Sequence, residues 1–183
     1  MVIAWRGAMP RDGLNRGVLV AAWRDSPAIG TDLTDAGREL GPVAKVVVSR
    51  EQDPWHQILV TDVFCQLGEQ LGCRAGMRTP IFTSSFSIIV PDVVWMPEEK
   101  WPDIDDDAPL ATAPDLCVDV LSCNTVRARS IDSRVEAYLR SGAEEVIVVG
   151  HNGSIEIRGR DGLRSSSIYN VRLVLDASQS ANY

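Results

Sequence analysis

Two aspartates stand in stretches whose other residues belong in a buried strand. Asp92 lies in "SIIVPDVVWM" (87–96), directly after Pro91 and among Ile88, Ile89, Val90, Val93 and Val94, and Asp119 lies in "DLCVDVLS" (115–122). Proline removes a ladder hydrogen bond, and a lone carboxylate among aliphatic side chains faces a desolvation cost. The two-residue period of a strand sets Asp115, Cys117, Asp119 and Leu121 on one face, with Leu116, Val118 and Val120 on the other. Two arrangements satisfy such acids. Each can bind backbone amides or an arginine at a strand end, which is purely structural. Alternatively, neighbouring strands bring both onto one divalent cation. Two carboxylates about 4 Å apart repel by about 4 kcal/mol at an effective dielectric of about 20, and without a cation one of them would take up a proton. Magnesium relieves the repulsion because it accepts one or two carboxylates and keeps waters for chemistry.

The elements that must position these acids follow from periodicity and caps. "AKVVVS" (44–49) reads as a strand from its β-branched run. "DPWHQILVTDVFCQLGEQLG" reads as a helix. Asp53 is its cap, Pro54 its first residue, Trp55, Leu59, Val63, Leu67 and Leu71 its apolar stripe, and Gly72 or Gly76 its stop. Strands are expected around "PIFTSS" and within "FSIIVPDVVWM", followed by an acidic, proline-rich loop over 97–114. Its run Asp103, Asp105, Asp106, Asp107 lacks the glycine and distal glutamate of a calcium loop and reads as a solvated turn. "DLCVDVLS" is a strand. "SIDSRVEAYLRSG" (130–142) is a helix capped by Ser130, striped by Ile131, Val135, Tyr138 and Leu139, and stopped by Gly142. "EVIVVG" and "SIEIRG" form a hairpin through "HNG", and "YNVRLVL" (169–175) reads as a last strand. Helices interspersed with strands predict an α/β (α+β) fold on one central sheet.

Composition narrows the function classes. The 183 residues carry 18 basic and 25 acidic side chains, a net charge of −7, which argues against a broad basic grip on nucleic acid and leaves room for a local patch. Arginines gather in the last third (Arg127, Arg129, Arg134, Arg140, Arg158, Arg160, Arg164, Arg172), and a basic face beside an acidic pocket would suit a phosphate backbone. No apolar run reaches the roughly 20 residues of a membrane span. The N-terminus lacks a signal peptide's long apolar segment, so a cytoplasmic location is expected. Cys65, Cys73, Cys117 and Cys123 form no C-x-x-C pair and read as reduced thiols, with Cys117 a small core residue. Ser122 has no G-x-S-x-G context, and no glycine-rich phosphate loop is present.

The order of "PDVV", an acidic loop, "APDLCVDVLS", a helix ending "YLRSG" and a hairpin resembles the bacterial putative restriction endonuclease family of the PD-(D/E)XK nuclease superfamily. The likeness runs from about Glu39 to Leu175. It implies a restriction endonuclease-like fold, a central mixed β-sheet flanked by helices, as a single domain over 31–183, with 1–30 an N-terminal extension or arm. Asp92 matches the aspartate of the PD motif. Asp119 stands where the family usually has glutamate, and Glu39 matches a further acid. His56, in "DPWHQ", matches a histidine at the start of the long helix. The resemblance further implies Mg2+ or Mn2+ as cofactor on Asp92, Asp119 and the Val120 backbone carbonyl, DNA as substrate, and a homodimer.

One position departs from the pattern. The family's lysine lies on the helix after the second acid, four residues before the tyrosine, and that slot here is Arg134. Arginine can hold a phosphate oxygen through two hydrogen bonds but cannot serve as a general base. Arg134 therefore admits two outcomes: a working nuclease with an electrostatic stabiliser, or a catalytically degenerate module that uses the same fold to bind nucleic acid or a protein partner.

Overall fold

The computed structural model describes residues 38–41, 45–48, 54–72, 75–83, 88–101, 108–121 and 128–175, with the side chains of 38–41, 45–48 and 128–130 left outside the description. The expected N-terminal arm at 1–30, the Asp53 cap and the Asp103–Asp107 run lie outside the described residues. Among the described residues ten strands and two α-helices follow in chain order. These are β1 (Arg38–Gly41), β2 (Lys45–Val48), α1 (Pro54–Leu71), β3 (Ala75–Met77), β4 (Ile81–Phe82), β5 (Ile88–Ile89), β6 (Val93–Trp95), β7 (Leu116–Val120), α2 (Ala128–Arg140), β8 (Glu145–Val149), β9 (Ile155–Gly159) and β10 (Gly162–Arg164).

The strands make a six-stranded sheet in the order β10-β9-β8-β7-β6-β3 and a separate four-stranded sheet in the order β2-β1-β5-β4. The expectation of one central sheet is thus met by the larger sheet and supplemented by a second. The interruption at Pro91–Asp92 divides them: β5 pairs with β1 and β4, whereas β6, three residues further on, pairs with β3 and β7. Proline's missing donor suits the point where the chain leaves one ladder for another.

Within the larger sheet only β7 and β8 are parallel, joined through α2 in a βαβ crossover. Both sheet faces are therefore covered. On one face Leu116, Val118 and Val120 pack with Leu59, Val60, Val63 and Leu67 of α1. On the other Cys117 packs with Ile131, Val135 and Tyr138 of α2. The alternation read from "DLCVDVLS" is the alternation observed.

Both helices end on glycines in the left-handed region, Gly72 at φ +88° and Gly142 at φ +126°. Two local expectations change. Ser130 is not a cap, because α2 already runs at Ala128. Of the expected strand 169–175, Tyr169 lies in a turn and Asn170 has φ +59°, and 171–175 joins no ladder of the described strands; its alternating apolar residues report one buried side, not a neighbouring strand. Short β10, behind the β9 turn, escapes detection because three residues carry no period.

A buried carboxylate ties the end of the chain to the sheet. Glu145 is 0 % exposed; it accepts hydrogen bonds from Ser167 Oγ at 2.6 Å and the Ile168 amide at 2.9 Å, with Arg164 Nη1 at 3.5 Å. Beside it the Tyr169 hydroxyl donates to Glu144 at 2.9 Å. Burial, this hydrogen bond and the nearby Asp115 charge all raise the Tyr169 pKa above the ordinary phenol value. Replacing Glu145 with alanine is expected to lower stability by about 2–3 kcal/mol in urea unfolding, the scale of hydrogen bonds to a charged acceptor. A raised folded-state pKa contributes stability that is present below the unfolded value of about 10 and lost as pH rises above it. Tyr169→Phe is therefore expected to flatten the alkaline decline of the melting temperature.

Candidate active site

The polar residues of interest gather at the C-terminal end of β7, where the sheet switch, α1 and α2 meet. Asp119 is 3 % exposed and lies on the α2 face of β7. Arg134 meets it in a two-point contact, Nε to Oδ2 at 2.8 Å and Nη2 to Oδ1 at 3.2 Å. Tyr138, one turn further along α2, donates its hydroxyl proton to the same carboxylate, at 3.1 Å from Oδ1 and 3.2 Å from Oδ2. Arg134 Nη2 is also 2.7 Å from the Tyr138 oxygen and 3.0 Å from the Val90 carbonyl. That carbonyl belongs to the residue before Pro91, so one guanidinium links Asp119, the helix and the sheet switch. The ion pair is largely withdrawn from water, with side-chain exposures of 25 % for Arg134 and 4 % for Asp119. Such pairs are strong in geometry and costly to break from one side.

Asp92 sits one strand away and is held differently. Its amide donates to the Val118 carbonyl at 3.0 Å, and its own carbonyl accepts from the Arg78 amide at 3.1 Å. Its Oδ2 accepts the Val120 amide at 2.7 Å, so the side chain continues the ladder where the strand has ended. His56 Nε2 lies 3.0 Å from the Val120 carbonyl and 3.5 Å from Asp92 Oδ2. His56, in the first turn of α1 and 5 % exposed, thereby bonds the end of β7 from the opposite side to Arg134. Asp92 Oδ1 makes no hydrogen bond with the described residues, and the Asp92 side chain retains 15 % exposure.

The chemistry of these donors decides how a divalent cation would fit. Among the described residues no three His, Cys, Asp or Glu side chains gather as a metal cage. Magnesium, however, is commonly bound through one or two carboxylates with waters and substrate phosphate completing its shell. Asp92 Oδ1 offers such a ligand directly. Asp119 and the Val120 carbonyl, which the resemblance also assigns to the ion, are engaged by Arg134 with Tyr138 and by His56; each becomes available by exchanging that partner.

The sequence-derived candidates therefore divide. Asp92, Val120 and His56 form one hydrogen-bonded group at the end of β7, and Asp119, Arg134 and Tyr138 form a second on its α2 side, the two joined through the chain at Asp119–Val120. Glu39 is described only as a backbone position in β1, opposite Val47; its side chain lies outside the described residues. Tyr138 fills the core stripe expected of it and in addition bonds Asp119, which the stripe does not signal; the four-residue spacing from Arg134 places both on one helix face. Of the two lysines, Lys100 pairs with Asp115 at the far end of β7, and Lys45 falls in β2. Cys117, next to Asp119 on the same face, is fully enclosed. Burial first, and the Asp119 charge second, push its thiol well above the usual range, with Arg134 opposing. It is a packing residue.

Among the described arginines of the last third, Arg160 and Arg172 are exposed, and four others, Arg134 among them, meet acids. Arg140 pairs with Glu136, Arg158 with Asp132 and Glu156, and Arg164 with Asp161 and Glu145. The side chains of Arg127 and Arg129 lie outside the described residues.

Comparison with known proteins agrees with this architecture. Residues 45–170 match the Uma2 family, described as "putative restriction endonuclease". The crystal structure of a putative nuclease belonging to DUF820 from Anabaena variabilis ATCC 29413 is similar, with a TM-score of 0.58 and 13 % identity over 78 % of this chain and 88 % of that one. No curated protein matches the sequence. At that identity the structural likeness speaks for the fold, while the family match spans well over half of the residues. The chain belongs to the Uma2 putative restriction endonuclease family and has a restriction endonuclease-like α+β fold.

Proposed function

We propose that this chain is a nuclease that hydrolyses DNA phosphodiester bonds at the end of β7, with Mg2+ or Mn2+ as cofactor. The observation that carries the reading is Asp92: a partly exposed carboxylate with one oxygen uncommitted among the described residues, fixed at a sheet switch beside a buried acid–arginine pair. Asp92 would hold the ion, with Asp119 and the Val120 carbonyl as further ligands. Bound there, a divalent cation supplies an activated water and offsets charge on the phosphate.

The chain's own residues have separate tasks. Arg134 keeps its charge throughout, so it orients a phosphate oxygen and stabilises the charge that builds there, and it takes no proton. When Arg134 turns towards phosphate, Tyr138 still donates to Asp119 and holds it in place. Until the ion takes the Val120 carbonyl, His56 holds it and fixes the end of β7 beside Asp92. The homodimer expected from the family resemblance suits an enzyme that cuts both strands.

A second reading rests on a different observation. Both oxygens of Asp119 are already bonded to protein donors, which is also what a catalytically degenerate module binding nucleic acid or a protein partner would show.

Metal binding separates the two. Millimolar Mg2+ or Mn2+ is expected to raise the melting temperature of the wild type by a few degrees, as binding to the folded state alone requires, and Asp92→Asn is expected to abolish the rise. No rise in the wild type leaves the second reading standing. On supercoiled plasmid, Arg134→Lys should retain metal-dependent cleavage while Arg134→Ala loses at least about tenfold, the scale of one lost transition-state hydrogen bond. Equal cleavage by all three would remove Arg134 from the mechanism. In urea unfolding, Arg134→Ala should cost about 3 kcal/mol by stranding Asp119. The double variant Arg134→Ala/Asp119→Ala should cost less than the sum of the single changes.

A further inference from the structure

The stretch Val171–Leu175 has the burial alternation of a strand and pairs with none of the described strands. Val171 is 6 % exposed and Val174 79 %; Leu173 and Leu175 pack against the α1-side core together with Val171. In an extended chain the backbone groups of alternate residues point to opposite edges. One edge is occupied by α1. Gln66 Nε2 donates to the Val174 carbonyl at 2.9 Å, and its Oε1 accepts the Val174 amide at 2.8 Å. Gln70 makes the same pair of bonds with Arg172, at 3.0 and 2.9 Å. Two glutamines one turn apart thus stand in for a neighbouring strand. Four residues of helix rise about 6 Å, close to two residues of strand.

The other edge is open. The amides and carbonyls of Val171, Leu173 and Leu175 make no hydrogen bond with any described residue. Unpaired groups in a row on a strand edge are a template for another chain.

We propose that this edge pairs with the same edge of a second copy of the chain, in an antiparallel two-fold ladder centred on Leu173. Centring there sets Leu173 opposite its counterpart and Val171 opposite Leu175. All six open groups of each copy then find partners, and no third segment is needed. The same register sets exposed Val174 opposite the partner copy's Arg172, whose aliphatic stem can cover it, and places no like charges face to face. The pairing is a matter of assembly and holds or fails independently of catalysis.

The full-length chain tests it by sedimentation across a wide concentration range. The wild type is expected to be a dimer, and Leu173→Pro a monomer of nearly unchanged far-ultraviolet circular dichroism, because the amide it removes has no partner within the protomer. In a Cys65→Ser background, Arg172→Cys and Val174→Cys chains mixed under mild oxidation should form a covalent heterodimer well beyond either chain alone. Residues 172 and 174 would form a non-hydrogen-bonded pair about 4.5 Å apart at Cα, within disulfide reach. A wild type that is monomeric throughout overturns the proposal. So does a dimer that persists in Leu173→Pro while the mixed cysteines fail to join.

Discussion

A carboxylate cannot keep its charge between two packed layers unless something of opposite charge meets it, and in this protein that need is concentrated at Asp119. One guanidinium and one phenol answer it, both from the same face of α2 and one turn apart. Because the pair is largely removed from water, its geometry is restrictive: α2 must lie where Arg134 can reach Asp119 with two bonds. The same guanidinium reaches the Val90 carbonyl, left at the point where the chain changes sheets. The βαβ crossover and the sheet switch are therefore coupled through a single side chain, and the apolar packing on both faces of β7 is arranged around it.

The two acids of the site differ in what binds them, and that difference shapes the chemistry. Both oxygens of Asp119 are engaged by a guanidinium and a neutral phenol hydroxyl. Asp92 is fixed by backbone on both sides and by the Val120 amide, yet keeps one oxygen uncommitted. An arginine in place of the family's lysine preserves charge and adds a planar, two-point grip, while giving up any role that requires losing a proton. His56 completes the arrangement from the α1 side, so that the end of β7, with Asp119 on it and Asp92 beside it, is held by one helix from each face of the sheet. Membership in the Uma2 family places this geometry in a nuclease-like setting.

Much of this was legible in the sequence, and the gaps have physical causes. The face alternation of "DLCVDVLS" was readable because a two-residue period with Cys and Val on opposite sides admits one solution once both faces are buried. Pro91 signalled an interruption, but a missing donor does not say that the strands on either side belong to different sheets. Tyr138 looked like packing because its ring is packing; only its oxygen does otherwise. "YNVRLVL" looked like a strand since Val, Leu and alternation report a buried side, and two distant glutamines took the place of the expected neighbour. The arginines of the last third suggested a basic face, yet most of those described are neutralised by acids brought near by the hairpin and by α2.

The linear chain by itself determined which residues are costly to bury, which stretches are helical or extended, and that an arginine stands where a lysine is usual. Periodicity and side-chain chemistry are local properties, so they survive in one dimension. Only the tertiary structure decided which partner each buried charge finds: Arg134 and Tyr138 for Asp119, the Val120 amide for Asp92, Asp115 for Lys100. Those pairings join residues far apart in the chain, and their strength depends on distance and on exclusion of water, neither of which exists until the sheet and its two helices have closed around them.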